Sequence, residues 1–580
     1  MTWEPDPETL DFINLLALQN ALQYEGKGKS GSVIGRLMGH RDDLKAHAKD
    51  LIIIVNQAVK DANNIAIEKG LEQVKEMIEA DAPELLETQK KERRVGLPEL
   101  PNVGEKVVLR FAPNPNGPLT FGHSRGIVIN SEYAKQYNGK LILRFDDTDT
   151  SKKPPLNWAY DQIEKEVEWL TGIKPSKVII VSDRIETYYE HAERLIGKGG
   201  AYICTLSAED FREFRISKTD SPCRDRTIEE NLELWKKMLN GDFKPGEAVV
   251  RIKTDMQLKN PALRDWPALR LQDTSTKPHP RAEIGSKYIV WPLLDFQSAV
   301  DDYLEGVTHI IRGKDLMDST RKQKLLYQHF EWQYPETIYW GRVKIHEFGG
   351  FSTSGIRMKI EEGAYEGWDD PRLPTISSLQ RRGIKPEALR SFWIELGLTQ
   401  KDISASLATL FSHNTTIIDP ESPRLIFIRN PTKIKLKSTY QQRGFKSAVH
   451  PEFPEKGERE FYLEWENETT YIFVEKVDIE GKNDLRLKEY ANISFIEDDA
   501  IIQDFKLLPG IPIIHWLPAI NEEYHLAELL TIEDNKLVKT TGYIENFDYP
   551  DGTIVQLERI GYAKIEDGES ECKKLVFLHN

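Results

Sequence analysis

The chain has 580 residues, of which 39% are hydrophobic and 29% charged, and its formal net charge is −15. This length predicts several domains, and the composition is that of an ordinary globular protein. The acidic balance argues against a protein that coats nucleic acid, although it allows one that reads a particular nucleic acid through local basic surfaces.

Targeting and cysteine signals are weak. No apolar run approaches the ~20 residues needed to cross a bilayer, and the first residues, MTWEPDPETL, lack the apolar core of a secretory signal. The three cysteines (Cys204, Cys223 and Cys572) are scattered and odd in number, which supports neither a disulfide framework nor a four-thiolate zinc site. We therefore expect a cytoplasmic protein with no membrane partner and no bound metal of its own.

The first half of the chain changes pattern twice. Residues 1–100 are mostly helical, with a loop candidate at EGKGKSGSVIGRLMG and a linker at GLPELPNVG. From 101 to 195, strand-like runs (KVVLRFA, KLILRFDD, KVIIVSD) alternate with a helical run, LNWAYDQIEKEVEWLTG, which is typical of a parallel sheet. Residues 196–285 are more mixed and end in TKPHPRAEIG, which indicates an inserted subdomain.

The second half begins with a return of the α/β pattern at KYIVWPLLDF, which fills 286–340. Residues 341–420 hold the loop FGGFSTSGIRM and a helical segment, SSLQRRGIKPEALRSFWIELG. From 421 to 580, short alternating segments with turn signals such as ENFDYPDGT predict one or two β-barrels.

The stretch RFAPNPNGPLTFGHSRG, residues 110–126, joins an apolar strand to a helical run. Its prolines fix the backbone, and Gly117 and Gly122 let the backbone approach a ligand closely. His123 lies near the start of the helix, where free N–H groups and the helix dipole favour phosphate. A Gly-His pair alone would suggest a surface loop, but the whole string predicts a phosphate site.

A second motif, LILRFDDTDT, places Arg144, Asp146, Asp147 and Asp149 at the end of an apolar strand. Ligands of open α/β sheets bind at the carboxyl ends of strands. Alternation puts Arg144 and Asp146 on one face of the strand and Asp147 on the other. An Asp-rich turn with a helix cap is the alternative, and the nearby phosphate motif favours a ligand site.

Seven motifs, in this order, resemble the class I aminoacyl-tRNA synthetases for glutamate and glutamine, specifically the archaeal-type glutamyl-tRNA synthetases. They are RFAPNPNGPLTFGHSRG, LRFDDTDTSKK, VVRIKTD, NPALRDWPALR, KYIVWPLLDF, DDYLEGVTHIIRGKD and GWDDPRLPTISSLQRRGI. The resemblance covers roughly residues 105–400 and, more weakly, GKGKSGSVIGRLMG and DPESPRLIFIRNPTKI. It implies an α/β Rossmann-type catalytic domain with an inserted acceptor-end-binding domain, a helical connector and C-terminal β-barrel anticodon-binding domains.

The activity that this resemblance implies is a ligase that activates glutamate with ATP and transfers it to the terminal adenosine of tRNA(Glu), with Mg²⁺ carried by the nucleotide. Charging of tRNA(Gln) stays open, and a monomer is expected. Two alternatives remain, a glutaminyl-tRNA synthetase and a non-catalytic tRNA-binding paralogue.

The resemblance also implies an ATP site. Its ligands are Asn114, Asn116, Gly117, Gly122, His123, Arg125, Gly126, Ser352 and Ser354, and the catalytic candidates are His123, Ser352, Thr353 and Arg357. The first histidine of the family's HIGH motif is Thr120 here, and Thr353 stands where the KMSKS loop has its lysine. Arg357, Lys359 or a more distant cation must therefore neutralise the triphosphate.

The glutamate ligands implied are Arg110, Asp146, Leu294 and Arg312, with Asp146 as the partner of the α-ammonium group. Glutaminyl relatives tend to have an uncharged residue at position 312 and a tyrosine at 294, so both positions favour glutamate. A substrate with two carboxylates needs more than one cation in a dry pocket. The alternative for Arg312 is an ion pair with Asp301 or Asp302.

The tRNA surface follows from charge patterning. Residues 422–451 contain no acidic residue, and TKIKLK alternates lysines with aliphatic residues, so a strand would present three lysines on one face. The predicted contacts with the anticodon stem and loop are Arg429, Lys433, Lys435, Lys437 and Arg443, with Arg381 and Arg382 in RRGIKPEALR as weaker candidates. For any single lysine, a solvated strand face is the alternative.

Overall fold

The computed structural model describes residues 5–24, 26–41, 44, 47–82, 85, 96–347, 352–497 and 499–580. It divides into two compact units, residues 1–95 and 96–580. None of the helices within these described ranges is both long and apolar enough to span a bilayer.

The N-terminal unit is helical. Its helices are α1 (Pro7–Gln23), α2 (Ser30–His40), α3 (Ala48–Lys69) and α4 (Leu71–Asp81). The predicted loop EGKGKSGSVIGRLMG is wrong from Ser30 onward, where α2 begins. Val33 and Leu37, one helical turn apart, are fully buried, and this burial outweighs the low helix propensity of the neighbouring glycines.

The second unit starts with GLPELPNVG, which packs against the end of the helix formed by Phe121–Gln136 rather than acting as a free linker. The Tyr133 hydroxyl donates to the Pro98 carbonyl at 2.7 Å, and the Tyr137 hydroxyl accepts from the Leu100 N–H at 3.0 Å. The segment therefore belongs to the second unit, which begins at residue 96.

The first half of the Rossmann region is a parallel three-stranded sheet with helices, as the alternating pattern predicts. Its elements are β1 (Val108–Phe111), α5 (Phe121–Gln136), β2 (Lys140–Phe145), α6 (Asn157–Thr171), β3 (Lys177–Ile180) and α7 (Ile185–Gly197). The strands pair in the order β1-β2-β3.

The inserted region folds as an antiparallel sheet in the order β4-β5-β6-β7. Its elements are β4 (Ala201–Cys204), α8 (Ala208–Ser217), α9 (Ile228–Asn240), β5 (Val249–Ile252), β6 (Pro267–Leu271) and β7 (Val290–Pro292). The structure thus differs from the expectation that KYIVWPLLDF resumes the parallel pattern, because its strand completes this antiparallel sheet. A short apolar run has the same appearance in either kind of sheet.

The second half of the Rossmann region adds α10 (Leu294–Leu304), β8 (His309–Gly313), α11 (Met317–Phe330), β9 (Glu336–Trp340) and β10 (Val343–Ile345). The strands β8 and β9 are parallel. The Thr308 N–H donates to the Val108 carbonyl at 3.0 Å, which joins the start of β8 to the start of β1. The carboxyl ends of β1, β2 and β8 therefore supply neighbouring side chains.

The connector comprises α12 (Thr353–Glu361), α13 (Ile376–Arg382), α14 (Pro386–Leu396), β11 (Ile403–Ala405) and α15 (Leu407–Ile418). The predicted helical segment SSLQRRGIKPEALRSFWIELG forms both α13 and α14. Gly383 separates them with a φ of +102°, a conformation that side chains other than glycine rarely adopt.

The C-terminal region is rich in strands, as predicted, and forms two seven-stranded sheets. Its first elements are β12 (Arg424–Leu425), β13 (Phe427–Arg429), β14 (Pro431–Lys437), β15 (Gly444–Ala448), β16 (Glu458–Tyr462), β17 (Thr469–Glu475), α16 (Lys476–Ile479), β18 (Asp484–Leu487), β19 (Asn492–Ile496) and β20 (Asp499–Asp504). The remaining strands are β21 (Ile513–Ile514), β22 (Trp516–Pro518), β23 (Tyr524–Glu533), β24 (Lys536–Glu545), β25 (Ile554–Leu557), β26 (Gly561–Asp567) and β27 (Cys572–His579).

Candidate nucleotide and amino-acid site

The N-terminus of α5 is closed by a reciprocal cap between Thr120 and His123. The Thr120 hydroxyl accepts from the His123 N–H at 3.4 Å, and the Thr120 N–H donates to His123 Nδ1 at 3.2 Å. Thr120, which replaces a histidine of the HIGH-type motif, therefore serves as the helix cap. Because Nδ1 accepts a hydrogen bond, we infer that the neutral ring carries its proton on Nε2.

The imidazole of His123 is uncharged at neutral pH. Burial and, next, the positive charge of Lys153 lower the pKa of His123 to about 4. The Nε2–H group is therefore a neutral hydrogen-bond donor at a helix N-terminus, where the helix dipole favours anions.

A cavity of about 810 Å³ opens at this helix N-terminus, and we call it the α5 cavity. Of the residues predicted for ATP binding or catalysis, Gly122, His123, Arg125, Ser352 and Thr353 line it. Three cations that the sequence analysis did not single out line it as well, namely Lys153, Arg342 and Lys344. A cavity of this size, with a helix N-terminus and several cations, suits a polyphosphate ligand.

The rigid loop before α5 packs against the start of α12. A Cβ atom on Gly117 would lie 2.6 Å from Thr353 Cγ2 and 2.9 Å from the Trp368 ring, so the close approach needs glycine. Asn114 and Asn116 belong to the same loop, which is fixed by backbone hydrogen bonds on either side. The Pro113 carbonyl accepts from the Asp146 N–H at 3.0 Å, and the Pro115 carbonyl accepts from the Leu156 N–H at 2.8 Å.

Arg125 is held by the protein itself. Its guanidinium donates to the Gly341 carbonyl at 2.8 Å and to the Gly397 carbonyl at 3.0 Å, and it lies over the rings of Trp340 and Trp393. These contacts fasten α5 to the segments that follow β9 and α14. They give Arg125 a positioning role. Arg125 also lines the α5 cavity, and its contact with ATP stays a prediction.

The start of α12 is capped by Ser352, whose hydroxyl accepts from the Gly355 N–H at 3.1 Å and lies 3.4 Å from the hydroxyl of Ser354. Arg357, on the same helix, pairs with Glu361 at 2.9 Å. The guanidinium is thus already matched with a carboxylate one turn away, which argues against its predicted role beside a triphosphate.

A second cavity of about 200 Å³, which we call the arginine pocket, lies at the carboxyl ends of β1, β2 and β8. It brings together all four predicted amino-acid ligands, Arg110, Asp146, Leu294 and Arg312. Trp340 lines both this pocket and the α5 cavity, so the two sites share a wall.

Two buried carboxylates pair with two of the arginines. Asp302 accepts from Arg110 Nε at 3.2 Å and from Arg144 Nη1 at 2.9 Å, and Arg144 Nε donates to Asp146 at 2.8 Å. Burial raises the pKa of Asp302, but the charges of Arg110, Arg144 and Arg312 outweigh it and hold that pKa below its usual value. The charges of both Arg110 and Arg144 are therefore paired with carboxylates of the protein.

Among the described residues, no carboxylate forms a direct ion pair with Arg312, although the charge of Asp302 acts on it from a greater distance. Arg312 Nη2 donates to the uncharged Gln323 Oε1 at 3.1 Å, rather than to Asp301 or Asp302 as the alternative expectation had it. Burial and then the neighbouring charge of Arg110 lower the pKa of Arg312. The pocket thus keeps one buried positive charge that an incoming anion would stabilise.

Gln323 is a functional candidate that the sequence analysis missed. Its Oε1 also accepts from the Tyr334 hydroxyl at 2.7 Å, and its Nε2 donates to the Ser298 hydroxyl at 3.1 Å. It orients Arg312 without neutralising it. A lone glutamine within the helical run STRKQKLL carries no signal for this role.

Several cations of the predicted tRNA surface are paired with carboxylates of the protein. On β14, Ile434 and Leu436 are buried and the lysines alternate with them, as the pattern predicts. Lys435 and Lys437 pair with Asp499 at 3.6 and 2.5 Å, and Arg429 pairs with Glu475 at 2.9 Å. Carboxylates that are distant in the sequence thus neutralise several cations of the segment 422–451, which contains no acidic residue of its own.

Two predicted tRNA contacts remain exposed, Lys433 on β14 and Arg443 directly before β15. Lys433 lies over the Tyr471 ring at 4.7 Å, and Arg443 borders a cavity of about 710 Å³ with Trp465 in its wall. Cations and rings on one surface are a suitable arrangement for unstacked bases.

The connector arginines contact the C-terminal sheet. Arg381 Nε donates to Glu566 at 2.6 Å, and the buried Arg382 donates to the Leu578 carbonyl at 2.7 Å. The burial of Arg382 does not fit its predicted contact with tRNA phosphates. Arg381 is partly exposed and lines a surface cavity with Lys564 and Lys574, so its contact with tRNA stays a prediction.

The cysteine pair is packed rather than arranged as a metal centre. Cys204 and Cys223 are buried in one cluster with Phe211. Within the described part of the chain, no group of three or more His, Cys, Asp or Glu side chains is placed to hold a metal ion.

Comparison with known proteins gives consistent matches. Residues 106–420 match the model of the catalytic domain of class I tRNA synthetases (E and Q), and residues 422–507 match the anticodon-binding domain of the same group. A glutamate–tRNA ligase of Archaeoglobus fulgidus is 42% identical over 97% of this chain and 98% of its own length. One from Pyrococcus furiosus is 40% identical over 97% of this chain and 98% of its own length.

Proposed function

Because the chain belongs to the class I tRNA synthetases of the glutamate and glutamine group, we propose that it is a glutamate–tRNA ligase that consumes ATP. The observation that carries the choice of glutamate is the buried charge of Arg312 in the arginine pocket, whose direct hydrogen-bond partner is the uncharged Gln323. Glutamine would leave that buried charge without a charged partner, whereas the side-chain carboxylate of glutamate provides one.

The pocket also suits the rest of the amino acid. Burial raises the pKa of Asp146, although Arg144 opposes this, so an additional positive charge beside Asp146 is favourable. The α-ammonium group of glutamate supplies such a charge. The α-carboxylate is then left to face the shared wall at Trp340 and the α5 cavity beyond it.

Activation joins the two substrates at that wall. An oxygen of the α-carboxylate forms a bond to the α-phosphorus of ATP, the bond from that phosphorus to the bridging oxygen breaks, and pyrophosphate leaves with the electron pair. The terminal adenosine hydroxyl of tRNA then attacks the carbonyl carbon of glutamyl-adenylate and releases AMP. Mg²⁺ arrives as part of the nucleotide substrate.

The chain contributes position and charge to this reaction. His123 Nε2–H donates to phosphoryl oxygens at the positive end of the α5 dipole, where negative charge grows as the bond breaks. Arg125 and Gly117 hold the loop, α5 and the start of α12 together, so that this donor is in place before ATP binds.

Aminoacylation of purified tRNA(Glu) and tRNA(Gln) with glutamate and with glutamine tests the proposal. We expect glutamyl-tRNA(Glu) and no glutaminyl product. Glutaminyl-tRNA(Gln) as the main product would identify a glutaminyl-tRNA synthetase, and tRNA binding without any product would identify a non-catalytic paralogue. Glutamyl-tRNA(Gln) would extend the substrate range to the second tRNA.

The role of Gln323 gives a first prediction. Gln323→Glu places a carboxylate 3.1 Å from Arg312 and cancels the charge reserved for the substrate. We expect the KM for glutamate to rise about 10- to 100-fold, the worth of one charge-assisted hydrogen bond. The KM for ATP should stay near the wild-type value. Pyrophosphate exchange measures both, and equal changes in the two would contradict this role.

Lys433, the exposed lysine of β14, gives a second prediction. Lys433→Ala should weaken tRNA binding and reduce the slope of log affinity against log salt by about 1, as for one phosphate contact. Lys437→Ala is the matched control, because Lys437 is already paired with Asp499. Filter binding at several salt concentrations measures the slope, and equal effects of the two substitutions would exclude a specific contact at Lys433.

A further inference from the structure

In the described residues at the start of α12, which begin at Ser352, both cations already have partners within the protein. Arg357 is matched by Glu361, and Lys359 lies over the Tyr365 ring at 5.8 Å. Neither residue lines the α5 cavity, which is lined by residues such as Gly122, His123 and Ser352. A nucleotide with three phosphates nevertheless needs positive charge at the position where pyrophosphate departs.

Lys153 supplies a charge to the same cavity. It lies in the loop that follows β2, and it is exposed. Within the described part of the chain Lys153 makes no ion pair, so no described carboxylate neutralises its charge. Lys153 and His123 both line the α5 cavity, and the positive charge of Lys153 contributes, after burial, to the lowered pKa of His123.

The backbone around Lys153 is fixed on both sides. Before it, Asp149 Oδ1 accepts from the N–H groups of Ser151 and Lys152 at 3.0 and 2.9 Å. After it come two prolines, and the Leu156 N–H donates to the Pro115 carbonyl at 2.8 Å. The loop therefore holds the Lys153 backbone beside the rigid 110–126 segment while leaving the side chain free to turn.

The other two cations of the cavity belong to the segment that follows β9. The backbone N–H of Arg342 donates to the Asp402 carboxylate at 2.7 Å, and Asp402, which also lines the cavity, pairs with Lys314 at 2.8 Å. Lys344 is on β10. Lys153 differs from both in that its loop is joined by a backbone hydrogen bond, from Leu156 N–H to the Pro115 carbonyl, to the 110–126 segment that leads into α5.

We propose that Lys153 binds the triphosphate of ATP and neutralises the departing pyrophosphate, in place of the lysine that the 352–357 segment lacks. This inference rests on the proposed function. In the transfer step, the electron pair of the broken bond between the α-phosphorus and the bridging oxygen stays on pyrophosphate, and the Lys153 ammonium pairs with that growing charge. No proton has to be transferred.

Pyrophosphate exchange with glutamate and tRNA, measured over a range of ATP concentrations, tests the proposal. Lys153→Ala should lower kcat/KM for ATP about 10- to 100-fold, the worth of a hydrogen bond to a charged group. The KM for glutamate and the affinity for tRNA should be unchanged. Lys153→Arg, which keeps the charge, should recover most of the loss.

Lys152→Ala is the matched control, because this neighbour is exposed in the same loop but does not line the cavity. Equal rates for Lys152→Ala and Lys153→Ala, or a larger loss in Lys344→Ala, would overturn the proposal. No exchange by the wild-type chain would instead refute the proposed function. An active wild type with an active Lys153→Ala variant refutes the role of Lys153 alone.

Discussion

Arg312→Gln should lower kcat/KM for glutamate about 10²- to 10³-fold, because it removes the charge that binds the buried side-chain carboxylate. The loss should fall mainly on the KM for glutamate, since Arg312 contacts the substrate away from the reacting carboxylate. The KM for ATP should stay close to the wild-type value, because Arg312 does not line the α5 cavity. Pyrophosphate exchange with each substrate varied in turn separates these quantities.

Arg321→Gln is the control for this substitution. Arg321 lies on α11, the helix that also carries Gln323, but it is exposed and pairs with Asp318 at 2.9 Å. We expect kinetics like the wild type. If Arg312→Gln bound glutamate as well as Arg321→Gln does, the buried charge would have a structural purpose and the choice of glutamate would lose its physical basis.

His123→Ala should lower the rate of activation about 10²- to 10³-fold, the usual loss when one donor to a developing anion is removed. The affinity for tRNA should be unchanged, because the residue lies at the nucleotide cavity. Since the His123 pKa is lowered to about 4, no ionisation of this residue should appear in the pH–rate profile between about pH 5 and pH 8. Rates should fall as the pH drops toward 4, where protonation of Nδ1 removes the acceptor of the helix cap.

His123→Asn separates the two roles of the ring. Asparagine can still accept the Thr120 N–H, as His123 Nδ1 does at 3.2 Å, but it offers no donor at the position of Nε2. If the donor matters, Asn and Ala variants should be similarly slow. Recovery of the wild-type rate by His123→Asn would show that His123 acts only through the cap.

Local patterns predicted the elements that position the site. The alternation of strands and helices gave the parallel sheet of β1, β2 and β3, and the spacing of lysines in TKIKLK gave the outward face of β14. Both depend on periodicity within one segment, which the sequence displays directly. The motif around His123 indicated a phosphate site because its prolines, its glycines and the start of the helix also lie within one segment.

Partners that meet only in the folded chain were not predictable. Asp302, which pairs with Arg110, is separated from it by 192 residues, and Gln323 meets Arg312 across the gap between α11 and β8. Asp499 and Glu475 form ion pairs with cations of the segment 422–451, which contains no acidic residue. Sequence patterning counts charges along the chain, whereas electrostatic compensation depends on distance in space.

The ratio of kcat/KM for glutamate to that for glutamine, measured by pyrophosphate exchange with tRNA present, tests the central claim most directly. A buried Arg312 whose direct partner is uncharged, beside the paired Arg110 and Arg144, predicts a ratio of about 10² or more, since a buried charge left without its partner is costly. The ratio should fall sharply in Arg312→Gln. A wild-type ratio at or below unity would contradict the account.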